Sequence, residues 1–206
     1  MTGSSDEQRE QTLQESIELI TAFHGKYAPG AVIGAYMVDL AQEHLQPLQG
    51  KLNAVAESTV CLADSIQVMT GCTIGNKYLW LMNYGRYALC LYDRTTKEGI
   101  RVFVNYNKID AERTPILKKF FDGTRNYENT PRPQQQKIVI DEFLSVKREI
   151  LGFERVYVRL PEKGPLPEPA RCLECDEYFK TFEKETVCRC CARDQLYSRE
   201  PGSEIL

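Results

Sequence analysis

Two stretches of the 206-residue chain combine residue types that can do chemistry at spacings that chemistry needs. In RCLECDEYFKTFEKETVCRCCARDQL, two residues separate Cys172 from Cys175, two separate Cys188 from Cys191, and twelve lie between the pairs. A C-x2-C turn points both sulfurs inward, and a hairpin between two such turns brings four thiolates into a tetrahedral metal site. Cys190 also competes for the fourth position; Cys191 is preferred because the second pair then repeats the spacing of the first. A segment of about 35 residues cannot bury enough apolar area to fold alone, so one structural zinc per chain is expected to supply much of its stability.

The second stretch is CLADSIQVMTGCTIG, residues 61 to 75. Cys61 and Asp64 are three positions apart and share a helical face. A thiol in the first turn feels the helix dipole, which lowers its pKa and favours thiolate. His24, in FHGKYAPG, joins them as a candidate metal or acid–base constellation, with Lys26, Gln67 and Cys72 nearby. The residues alone leave two readings open. One is a metal- or thiol-dependent enzyme using this pocket; the other is a small core cysteine beside a satisfied loop histidine.

These side chains need elements to position them. Leu13, Ile17, Ile20 and Phe23 recur at three- and four-residue spacings and predict an amphipathic helix from about Glu7 to His24. HGKYAPG breaks it, and a densely apolar helix follows from Ala31 to about Leu45. LNAVAES reads as a strand, and the next helix stops at Gly71. KYLWLMNYG, RYALCLYDR and GIRVFVNY, rich in aromatic and β-branched residues, predict three consecutive antiparallel strands with NYGR and TTKEG as turns. Helices over about Asp110 to Gly123 and Gln134 to Leu151, divided by TRNYENTPRP, precede a last strand, FERVYVRL. Runs of strands and runs of helices indicate an α+β fold, an antiparallel sheet packed with helices. PEKGPLPEPA, residues 161 to 170, holds four prolines and reads as a stiff linker. The expected organisation is a core domain over 1–160, this linker, and a four-cysteine module over 171–206.

Composition narrows the function classes. Hydrophobic residues make up 42% and charged residues 27%, ordinary for a soluble domain. No apolar run approaches the roughly 18 residues that span a bilayer, and the polar, acidic MTGSSDEQREQTLQES is unlike a signal peptide, so no membrane association and a cytoplasmic location are expected. Eight cysteines then point to metal or reactive thiols rather than disulfides. Lys and Arg outnumber Asp and Glu by 10 to 5 in residues 77–125, whereas the cysteine module has 6 against 8. An acidic module lacks the electrostatic footprint for phosphate backbones, which disfavours nucleic acid as a partner.

HGKYAPG, CLADSIQ, GCTIG, YGRYALCLYDRTT and the four cysteines follow one another along nearly the whole chain. In this order the chain resembles the E-subunit family of formylmethanofuran dehydrogenase. That family joins an H-G-H-x-C-P-G loop, a helix beginning C-x-x-D-x-I-Q, a G-C-T-x-G turn, an aromatic hairpin and, in many members, a C-terminal zinc finger. The resemblance implies an α+β core with an auxiliary treble-clef finger, assembling as a homodimer. It also implies an accessory or binding subunit linked to a molybdenum or tungsten oxidoreductase whose pterin chemistry belongs to other subunits, which would be further partners. The loop departs from the pattern: Lys26 stands in place of the second histidine and Ala28 in place of the cysteine. The implied core site is therefore degraded, with at most a weakly held second metal, and the Lys26 ammonium could take the place of a cation beside Cys61 and Asp64.

Overall fold

The computed structural model describes residues 3–124, 131–161 and 166–194 of the chain, with side chains from residue 7 onward. Its first helix, α1 (Gly3–His24), buries Leu13, Ile17 and Ile20. Phe23, expected on the same stripe, is 60% exposed. The second helix, α2 (Pro29–His44), begins with proline in its first turn, where the missing N–H costs nothing, and is buried from Pro29 through Val38. A helix apolar on every side belongs at the centre of a domain. It packs against α1, against α3 (Leu62–Thr70), and against the sheet at its third and fourth strands. Gly71, at φ +68°, ends α3 in the left-handed conformation that glycine adopts most readily.

The sheet holds β1 (Leu52–Ala56), β2 (Leu79–Leu81), β3 (Ala88–Asp93), β4 (Glu98–Val104) and β5 (Leu151–Tyr157), in the order β2-β1-β3-β4-β5. The α+β reading holds, with one correction to the pairing. The first two of the three consecutive strands do not form a hairpin. β2 lies at the edge, parallel to β1, and β3 pairs antiparallel with β1 on its other side. The reason lies in NYGR and its neighbours, which wrap the end of β1 instead of closing a turn. The amides of Met82, Tyr84 and Arg86 bond the carbonyls of Ala56 and Glu57, carrying the chain across β1. The helix between β1 and β2 supplies the crossover that a parallel pair requires.

Two later helices are shorter than their patterns suggest. α4 (Pro115–Asp122) starts only at its proline, and α5 (Arg132–Val146) gives way to a 3-10 turn at Lys147–Ile150, so that Leu151 already belongs to β5. The chain divides into two compact units, Met1–Arg159 and Leu160–Leu206. In the second, β6 (Glu168–Arg171) and β7 (Tyr178–Thr181) pair antiparallel, and a single wide helical turn runs from Cys190 to Asp194. The end of the expected proline-rich linker is thus a strand. Pro169 is tolerated because a two-stranded ribbon leaves each strand one open edge, where no N–H is needed. Residues 162–165 of that linker and 195–206 of the module lie outside the described residues. Among the described residues no helix is long and apolar enough to cross a membrane.

Candidate ligand pocket and metal centre

The core site is built on a close approach of α2 to α3. Gly30 and Gly34, one turn apart on α2, face Cys61 and Ser65, one turn apart at the start of α3. A Cβ on Gly34 would lie 2.5 Å from Ser65 Oγ, and one on Gly30 would lie 3.0 Å from Cys61 Cβ and 2.9 Å from the Tyr87 hydroxyl. Only glycine permits this spacing. Two polar bonds fix it: Ser65 Oγ donates to the Ala31 carbonyl at 3.0 Å, and the Tyr87 hydroxyl donates to the Gly30 carbonyl. Burial, with the nearby Cys61, keeps the Tyr87 phenol protonated well above its ordinary range, so it remains a donor.

Where the 25–28 loop, the start of α2 and the start of α3 meet, a pocket of about 590 Å3 opens, with α4 and α5 completing its wall. Its lining includes Lys26, Arg86 and Arg132, the thiol of Cys61, and the rings of Tyr87, Phe120 and Phe121. The rings form a run: Phe120 and Phe121 meet edge to face at 5.1 Å, and Tyr87 and Phe121 do so at 5.7 Å. Arg86 is anchored from behind by Glu57, a buried carboxylate at the end of β1. Arg86 Nε bonds Glu57 Oε2 at 2.7 Å, and Arg101 bonds both oxygens of the same carboxylate at 2.6 and 3.0 Å. Burial works against ionisation of Glu57, but the two guanidiniums outweigh it and hold the carboxyl below its usual range.

The structure brings together only part of the His24, Cys61 and Asp64 constellation. His24 is the last residue of α1, and its Nδ1 lies 2.6 Å from Asp64 Oδ2. A carboxylate on one ring nitrogen is how metal-binding histidines are oriented, and His24 Nε2 is buried without a hydrogen-bond partner among the described residues. Cys61 turns to the pocket with Lys26, whereas His24, Asp64 and Gln67 are not among the pocket's lining residues. No set of three ligand atoms from this group comes within 4.8 Å; among the described residues only the four C-terminal cysteines do so. The expected thiolate is also corrected. Cys61 caps α3 rather than occupying its first turn, and burial pushes its thiol above the ordinary value, with Lys26 pulling the other way without prevailing. Gln67 is half-buried, its carbonyl receiving the Gly71 amide that closes α3. Cys72 is core: its sulfur is buried and bonds the Leu52 carbonyl at 3.4 Å.

Sequence reasoning missed Arg86, Tyr87, Phe120, Phe121 and Arg132. They come from a turn, a strand entry and two helix segments far apart in sequence. The readable signal was the matched spacing of Gly30 and Gly34 with Cys61 and Ser65.

In the second unit Cys172, Cys175, Cys188 and Cys191 offer sulfurs that all lie within 4.8 Å of one another, and Cys190 stands outside the group. The Cys175 and Cys188 sulfurs are 3.9 Å apart. A tetrahedral tetrathiolate site with metal–sulfur bonds of about 2.3 Å places its sulfurs about 3.8 Å apart, so the donor set fits such an ion. The Cys188 amide donates to the Cys172 sulfur at 3.3 Å, and bonds of this kind hold the Cys172 thiol down at about 6. Cys191, crowded by the other sulfurs, is pushed up. Four thiols so placed cannot all ionise unless a cation balances them. Cys172 and Cys175 lie between the two strands, and the second pair leads into the helical turn, the order of a small treble-clef-like finger.

Comparison with known proteins bears on the family and the fold. A crystal structure of an FmdE-like protein from Syntrophus aciditrophicus, FmdE being the E subunit of a tungsten formylmethanofuran dehydrogenase, superposes with a TM-score of 0.69 at 30% identity, covering 90% of this chain and 95% of that one. A protein of Archaeoglobus fulgidus described as a probable S-adenosyl-L-methionine-binding protein is 28% identical over 184 residues, which is 82% of this chain and 50% of that protein. The chain thus spans about half the length of that relative. Residues 23–152, from the end of α1 to the start of β5, match the family described as "FmdE, Molybdenum formylmethanofuran dehydrogenase operon". With more than half its length matched and the fold shared, the chain belongs to the FmdE family.

Proposed function

We infer that this chain is a small-molecule-binding accessory subunit, or a stand-alone relative, within the FmdE family, with its metal confined to a structural zinc in the C-terminal finger. The observation that carries the reading is the pocket of about 590 Å3 at the start of α2 and α3. Its size lies in the range of small-ligand sites, roughly 300–1,000 Å3, and its mixed apolar and polar lining suits one. The core metal site is degraded: among the described residues His24, Cys61 and Asp64 do not bring three ligand atoms together, and Lys26 lines the pocket beside Cys61. The raised Cys61 thiol supports a role as pocket wall rather than nucleophile. Assembly as a cytoplasmic homodimer, with or without other dehydrogenase subunits, completes the proposal.

The test is a thermal-shift panel of nucleosides, nucleotides and S-adenosylmethionine, the last on the strength of the Archaeoglobus relative's description. A ligand at a hundred times its Kd stabilises by about 2.7 kcal/mol, a rise of several degrees in a domain of this size. The paired variant is Val60→Trp. Val60 lines the pocket and is 59% exposed, so tryptophan fills the cavity without disturbing the core. At least one compound should raise the melting temperature of the parent and lose its effect in Val60→Trp. A panel with no response, or a response that survives the substitution, would overturn the reading.

A further inference from the structure

We propose that the pocket selects an anion carried on a flat ring system, a phosphate or carboxylate held by Lys26, Arg86 and Arg132 with the ring against Phe120, Phe121 and Tyr87. The inference rests on the small-molecule reading above and names the chemistry of the ligand. Three cationic side chains reach the lining, and no carboxylate does among its described lining residues. They come from three separate places, the 25–28 loop, the crossing before β3 and the first turn of α5, so their convergence is a property of the fold and not of a local charge run. The Arg86 guanidinium is held from behind by Glu57, which fixes its position and leaves its remaining donors for a ligand. A fixed guanidinium loses less entropy on binding than a free one.

The neighbouring ring run gives the second half of the selectivity. Phe121 lies in the middle, edge to face with both Phe120 and Tyr87, and all three rings line the same cavity. Rings in this arrangement offer faces and edges to a flat ligand. S-adenosylmethionine fits less well on charge, since it brings a sulfonium and an ammonium against a single carboxylate into a lining of cations.

The experiment is calorimetry with four probes, adenosine 5′-monophosphate, nicotinate, adenosine and S-adenosylmethionine, on the parent chain and on Lys26→Gln/Arg132→Gln. Both substituted side chains are exposed, which protects folding. Adenosine 5′-monophosphate or nicotinate should bind the parent at least about tenfold tighter than adenosine or S-adenosylmethionine, as expected for charge-assisted bonds. The double variant should lose at least about tenfold for the anionic probe, and raising the salt should weaken the parent in the same direction. Binding of adenosine or S-adenosylmethionine as tight as that of the anions, or anion binding unaffected by the double substitution, overturns the anion assignment while leaving a small-molecule pocket in place. No binding of either anionic probe also overturns the anion assignment, and if the thermal-shift panel gives no response, or only one that survives Val60→Trp, the pocket reading falls with it.

Discussion

Replacing Gly34 by alanine tests whether the α2–α3 approach sets the site. In a solvent-exposed helix the change would stabilise by about 0.5–1 kcal/mol, because glycine loses more entropy on folding. Here the new methyl group meets Ser65 Oγ at 2.5 Å, Ser65 Cβ at 2.9 Å and Leu62 Cδ1 at 3.3 Å, all on a fully buried face. Turning the Ser65 hydroxyl away would break its bond to the Ala31 carbonyl and leave buried polar groups unpaired, at a cost of about 1–3 kcal/mol. The remaining overlap with Ser65 Cβ and Leu62 requires the helices to part, a further 1–3 kcal/mol or so. The net is a loss of about 3 kcal/mol, or about 6–12 °C in melting temperature. Ser65→Gly removes the two shortest contacts. In a double-mutant cycle followed by urea unfolding, Gly34→Ala with Ser65→Gly should therefore show a favourable coupling of about 1–3 kcal/mol. A Gly34→Ala protein that melts at or above the parent temperature, or a cycle that is additive, would refute the packing argument.

Three further outcomes follow from particular groups. The Asp93 carboxylate accepts amides from Gln49, Gly50, Thr95 and Thr96, two on each oxygen, and these bonds, that of Gly50 foremost, hold its pKa below the usual value. A depressed folded pKa contributes stability above the unfolded value of about 3.9 and loses it as pH falls through the folded pKa. Asp93→Asn should therefore melt below the parent at pH 7, and the gap should narrow as both are titrated into acid; a constant gap contradicts this. Cys61 should react with iodoacetamide at pH 7 more slowly than a model thiol, because burial raises its pKa and limits access; mass spectrometry of the modified peptide would report the rate. Glu57→Gln leaves Arg101 and Arg86 without their shared carboxylate, so a measurable fall in urea midpoint is expected, larger than for Glu154→Gln, whose exposed carboxylate bonds Arg101 alone.

The parts of the molecule legible in the sequence are those whose information is local. The spacing of Cys172, Cys175, Cys188 and Cys191 is a short-range geometric code, and the structure gathers those four sulfurs. Gly71 marks the end of α3, and the run from Pro29 to Val38 is apolar on every side because that helix is central. What was not legible depends on contacts between distant segments. The direction of β2 relative to β1 is decided by amides of 82–86 reaching Ala56 and Glu57, which no turn motif announces. Cys61 was expected to gain from the helix dipole, but its burial against Gly30 and Tyr87 is set by packing and outweighs that effect. His24 does meet Asp64, forty residues away, as their grouping in the sequence anticipated, but the separation of Cys61 from that pair was not legible, nor was the cationic side of the pocket, which is assembled from three segments with no shared motif.

Metal content per chain, measured by elemental analysis on protein purified without added metal, tests most directly the division of labour between a metal-holding finger and a core pocket without its own metal. The account predicts a single zinc per chain, lost in Cys172→Ser and unchanged in Cys61→Ser and His24→Ala. Two metals per chain, one of them lost in Cys61→Ser or His24→Ala, would contradict it.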